Sequence, residues 1–165
     1  MHALRLRARV YGVRYPQHAL DALAAARIEF AGWIPNYEAP LAYARAAATV
    51  HVPRRPYARA LPGIPTIRMF EALACGVPLI SAPWPDIEQM FEAGRDYLVA
   101  RTGAEMQRAL RSVLHDPALA AELSEQGRRA ILARHTCVHR AHELLDICDE
   151  LGITGALSTT LRTEL

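Results

Sequence analysis

Two hydrophobic periods alternate along this chain. Leu4 to Val13 alternates apolar and basic residues and ends in Val10-Tyr11-Gly12-Val13, the period-two pattern of a strand. Ile28 to Gly32, Thr49 to Val52 and Val77 to Ser81 are further short, mainly apolar runs closed by glycine, proline or serine, and Tyr97 to Ala100 is a fifth. Helical spacing fills the gaps. It predicts an alanine-rich helix over His18 to Arg27 after Pro16, then helices over Leu41 to Ala47, Thr66 to Cys75 and Asp86 to Glu92. Thr102 and Glu105 have the spacing of a capping box, and Met106, Leu110, Val113 and Leu114 mark one face of the helix behind it. Asp116-Pro117 pairs an N-cap with proline at the first helical position, opening a helix to about Arg134. A last helix runs from Cys137 to Leu151 and stops at Gly152.

Strands separated by helices require crossover connections, so the sheet is mainly parallel. With right-handed crossovers, the expected fold is α/β: a Rossmann-like, doubly wound sheet of about five strands with a C-terminal helical segment. Residues 1–152 form this domain, and 153–165 a flexible tail rich in Thr and Ser.

At 165 residues the length suits one domain. A 52% hydrophobic and 22% charged composition excludes disorder and collagen-like repeats. The net charge is +2 and every basic residue is arginine. Scattered arginines do not make the stripe of a nucleic-acid binder, so no nucleic-acid partner is expected. Cys75, Cys137 and Cys148 are an odd, widely spaced trio, which fits a reducing cytoplasm better than a disulfide framework. The N-terminal residues mix apolar and basic side chains instead of forming a signal-peptide core. No uncharged apolar run approaches the ~18 residues of a membrane span.

In open parallel sheets, ligands sit beyond the carboxyl ends of the strands. The loops that meet this condition are Gly12 to Pro16, Gly32 to Tyr37, Pro53 to Pro65 and Ala82 to Pro85. The third is crowded with prolines and carries Arg54, Arg55 and Arg59, then runs through Gly63, Ile64 and Thr66 into a helix with Arg68 and Glu71. A helix N-terminus offers free amides and a positive dipole end to a phosphate. A carboxylate in its second turn can accept the two hydroxyls of a ribose, but spacing alone serves equally well for a solvated helix residue. His51 closes the third strand and so faces the cleft, which makes it a candidate substrate-binding residue. His135, Cys137, His139 and His142 crowd together, yet their spacing matches no common zinc pattern. No Ser or Cys stands on a glycine-flanked elbow, so no nucleophilic triad is visible.

The run Thr66-Ile67-Arg68-Met69-Phe70-Glu71-Ala72-Leu73-Ala74-Cys75-Gly76-Val77-Pro78-Leu79-Ile80 resembles the donor-site segment of GT-B fold glycosyltransferases. Pro83-Trp84-Pro85, Phe91 to Val99 and Arg134 to Arg140 extend the likeness to the spore-maturation-protein type of that superfamily. The resemblance implies the C-terminal, nucleotide-sugar-binding half of a two-domain enzyme. By it, Glu71 takes the ribose and the amides from Gly63 through Ile64 to Ile67 face the diphosphate or sugar. Thr66 and Arg68 lie beside them and Arg14 contacts phosphate. Trp33, Ile34 and Asn36 border the base.

One position departs from the pattern: many relatives carry a second glutamate where this chain has Gly63. The resemblance places the catalytic base and acceptor groove in an N-terminal domain or partner subunit, so no catalytic residue is assigned. The donor is a substrate, and no cofactor or metal is expected. The last helix offers apolar surface through which two copies can pair. The competing reading is a stand-alone nucleotide-binding or regulatory α/β module without catalytic activity.

Overall fold

The computed structural model describes residues 6–53, 60, 63 and 66–152. Its elements run β1 (Arg9–Tyr11), α1 (Gln17–Ala25), β2 (Glu29–Gly32), α2 (Ala39–Ala44), β3 (Thr49–His51), α3 (Ile67–Ala74), β4 (Leu79–Ser81), β5 (Leu98–Val99), α4 (Gly103–His115), α5 (Pro117–Arg134) and α6 (Cys137–Glu150). A 3-10 turn, Asn36–Glu38, leads into α2. The fold is the expected Rossmann-like α/β arrangement, and every strand pairing among the described residues is parallel.

The strands group as β1-β2 and as β3-β4-β5. In the second group Thr49 pairs with Leu79, Val50 with Ile80 and His51 with Ser81; Ile80 and Ser81 pair with Leu98 and Val99. β4 is therefore flanked on both edges, and all three of its residues are buried. Its alternation sends Leu79 into a cluster with Met69, Leu73, Val77, Phe91, Tyr97 and Ile131. Ile80 faces the opposite way, toward Ala100, Leu110, Val113 and Leu123. Successive strand residues point to opposite faces, so β4 joins two half-cores. By contrast α1 has no buried residue, and β1 and β2 alternate exposed with half-buried positions.

Local chemistry explains the element ends. Gly76 takes φ 66°, the left-handed conformation that stops α3. Val77 N–H then bonds Ala72 O and Gly76 N–H bonds Leu73 O, which satisfies two orphan carbonyls of the last turn. Thr102 Oγ1 accepts from Glu105 N–H at 3.1 Å, while the Glu105 carboxylate reaches back to Arg101 N–H at 2.7 Å. Asp116 caps α5 through the amides of Ala118 and Leu119.

Two expectations change. The helix predicted over Asp86 to Glu92 is absent, and the β4–β5 crossover is irregular from 82 to 97. The Asp86 carboxylate accepts the amides of Met90 (3.0 Å) and Phe91 (2.9 Å), and Gln89 sits at φ 51°. A side chain that takes these amides competes directly with the helical ladder. Helix α2 begins two residues early, because the 3-10 turn delivers the chain to Ala39 already wound, and it ends at Ala44. Leu4 and Arg5 of the first predicted strand, and the tail 153–165, lie outside the described residues.

Candidate functional site

His51 and Ser81 are the last residues of β3 and β4, paired in register at the carboxyl edge of the sheet. Thr66 is the N-cap of α3. These three form a chain of hydrogen bonds. Ser81 Oγ donates to Ala82 O at 2.7 Å, which uses its one proton. His51 Nδ1 therefore donates to Ser81 Oγ at 2.9 Å, and in the neutral ring Nε2 accepts from the Thr66 hydroxyl at 2.8 Å. His51 is buried, and burial pushes its pKa below the usual histidine value, in keeping with the neutral form. The Thr66 side chain makes no capping bond to its own helix.

One turn on, Arg68 Nη1 donates to Glu71 Oε2 at 2.5 Å. The Glu71 side chain keeps 24% of its surface and Arg68 54%, so the pair sits at a wall open to solvent. The Tyr43 phenol of α2 lies close enough to feel the charges of both Arg68 and Glu71. Burial, then the nearby Glu71 charge, pushes the Tyr43 phenol up, and the same two causes push up the Cys75 thiol. The carboxylate of Glu71 is thus felt by Tyr43 of α2 and by Cys75 one turn further along. What results chemically is an acceptor group steadied by one arginine beside a helix start.

The remaining predicted residues fall as follows. Gly63 takes φ 90°; a Cβ there would meet Ile87 Cδ1 at 2.6 Å and Pro85 O at 3.3 Å, so its glycine also admits the β4–β5 crossover. Arg14 is exposed after β1, with φ 58°. In the loop after β2, Trp33 is 70% exposed, Ile34 half-buried and Asn36 exposed at the start of the 3-10 turn. Ile64, Arg54, Arg55 and Arg59 lie outside the described residues. The structure thus joins His51 to Thr66 and Arg68 to Glu71. Tyr43 and Ser81 were missed: neither stands in a motif, and their only signal is distant in sequence.

The histidines near α6 go separate ways. His135 packs its ring on Phe70 and Phe91 and bonds Met90 O at 3.0 Å, whereas His139 bonds Thr136. Among the described residues no three His, Cys, Asp or Glu side chains gather to hold a metal, and no helix is long and apolar enough to cross a membrane. A surface depression of about 650 Å³ lies elsewhere, between Asp86, Glu92 and Arg95 of the crossover and Gln126 and Arg129 of α5.

A family model described as glycosyl transferase-like matches residues 1–146. No curated protein matches. Among solved structures, Anabaena HepE in complex with UDP superposes with a TM-score of 0.72 at 15% identity, over 88% of this chain and 41% of that one. Its complex with UDP and glucose gives 0.73 at 16% identity, over 87% and 40%. Sucrose-phosphate synthase from Thermosynechococcus elongatus gives 0.70 at 21% identity, over 89% and 39%. The chain therefore spans about two-fifths of the length of these structures, and the likeness establishes a Rossmann-like GT-B domain.

Proposed function

The chain belongs to the glycosyl transferase-like family, and from that premise we propose that it binds a nucleoside-diphosphate sugar as the donor-binding, C-terminal half of a GT-B glycosyltransferase of the spore-maturation-protein type. One observation carries the reading: the first residue of α3, Ile67, whose N-cap Thr66 makes no capping bond, and the Glu71 carboxylate stand about one turn apart on the same helix. Four residues span roughly 6 Å along a helix axis, so a nucleotide lying beside α3 reaches both. Glu71 accepts the ribose hydroxyls, steadied by Arg68. The first amides of α3 take the diphosphate, where the helix dipole favours negative charge. Arg14 supplements that charge, and Trp33, Ile34 and Asn36 flank the base. The complexes of HepE with UDP and with UDP and glucose support uridine as the base.

In transfer, charge accumulates on the departing diphosphate, and preoriented amides and arginines lower the energy of that charge. No resident cofactor or metal is part of this proposal. The acceptor groove and catalytic base come from a second domain or partner subunit, and the protein works in the cytoplasm.

Thermal denaturation with UDP and GDP tests the reading. One of them should raise Tm at millimolar concentration, and Glu71→Ala should abolish the rise. A flat response to every nucleotide would sink the donor-site assignment. EDTA should leave the shift intact, and its loss would assign a bound metal to the site.

A further inference from the structure

Thr66 begins α3 with extended backbone (φ −84°, ψ 150°), the conformation from which a threonine hydroxyl ordinarily turns back onto the second or third amide of its helix. Thr102 does so in α4, at Glu105 N–H. Thr66 does not; its hydroxyl points to His51 Nε2 at 2.8 Å. A hydroxyl can donate and accept at once, so what matters is direction: a rotamer reaching the strand edge carries Oγ away from the amides. His51 is itself fixed, because its other nitrogen is spent on Ser81, whose hydroxyl is spent on Ala82 O. Three bonds thus run from Ala82 O, just past β4, to the cap of α3, through a residue only 7% exposed.

We infer that His51 is a positioning residue: by holding the Thr66 hydroxyl toward the sheet, it keeps this threonine from capping α3 and leaves the Ile67 and Arg68 amides open to an anionic ligand, while the Met69 amide is held by Thr66 O at 3.1 Å. The inference rests on the donor-site reading for the identity of that anion, a nucleoside diphosphate, but not for the state of the amides. Capping these amides would satisfy the helix internally and set the protein's own oxygen against the incoming phosphate. The stability that an N-cap normally contributes is forgone in favour of a vacant set of donors. His51 touches no ligand in this scheme and acts only through Thr66.

Amide hydrogen exchange on the ligand-free protein tests the geometry directly. Ile67 and Arg68 amides should exchange as unprotected groups, and in His51→Phe, where the hydroxyl is released to cap, the Arg68 amide should become protected. Protection already present in the native protein overturns the inference without any need for a variant that folds. UDP titration tests the consequence. His51→Phe should weaken binding about tenfold, the loss expected from one charge-assisted hydrogen bond. Adding Thr66→Val to His51→Phe should recover most of that loss, because no hydroxyl remains to close the turn. A purely structural histidine predicts the opposite, a double variant no better than the single one, and that result overturns the inference. Absence of UDP binding by the native protein, with Ile67 and Arg68 unprotected, overturns the donor reading and leaves the positioning claim standing on exchange.

Discussion

At the scale of single residues, His51 ties titration to stability. Burial lowers its pKa in the folded protein, while the unfolded chain keeps the ordinary value near ~6.5. The unfolded state therefore binds the proton more readily. The contribution of the neutral ring is complete above ~6.5 and is lost as pH falls toward and through the folded-state value. Urea midpoints of the native protein should drop more steeply between pH 7 and 5 than those of His51→Gln, and parallel curves would refute this. The Arg68–Glu71 pair behaves differently, since Arg68 is more than half exposed. Such a pair contributes at most about 1 kcal/mol to stability, so Arg68→Ala should lower Tm little while weakening nucleotide binding. Glu71, Arg68, Thr66 and His51 could all be picked out from loop position or motif. Tyr43 and Ser81 could not, because nothing local distinguishes a tyrosine or serine that meets a site through the fold.

Among the elements, α3 and α5 show how closely the site is backed. Gly127 of α5 lies against α3: a Cβ there would stand 2.6 Å from Leu73 Cδ2 and 3.0 Å from Asp96 O. Alanine is the better helix former by up to ~1 kcal/mol, but an overpacked contact costs about 1–3 kcal/mol. Gly127→Ala should therefore destabilise, and chemical denaturation giving a stabilised variant would contradict the packing. Ser124 Oγ also donates to Gly76 O at 2.5 Å, tying the same helix to the end of α3. The helices α4, α5 and α6 were legible almost to the residue, because capping boxes, Asp-Pro and a terminal glycine are local signals. The crossover was not. Asp86 looks like the start of a helix, and only the chain geometry of a parallel β4–β5 pair directs its carboxylate to the amides of Met90 and Phe91. Asp86→Ala should cost about 1–3 kcal/mol, measured by urea unfolding, because two half-buried amides lose their acceptor.

For the whole molecule, the core is unevenly placed. Among the described residues its two clusters draw mainly on residues after Thr66, whereas α1 and α6 contain no buried residue. Leu144 (60%), Ile147 (50%) and Leu151 (66%) face outward from the C-terminal helix. Leu144→Ser should change the unfolding free energy by no more than about 0.5 kcal/mol, as expected of an exposed site. A larger loss in urea titration would place this face in the domain's own core.

Sequence by itself determined the α/β class, the strands and most helices, since period, capping and turn chemistry act within a few residues. It also singled out the segment from Thr66 to Gly76, whose motif is contiguous. Tertiary structure alone decided how the strands group, the irregular path from β4 to β5, and the course of the Thr66 hydroxyl. That hydroxyl illustrates the physical reason. Its local preference is to cap α3, and the preference loses to a buried acceptor fifteen residues away in the chain that only strand pairing brings within 2.8 Å.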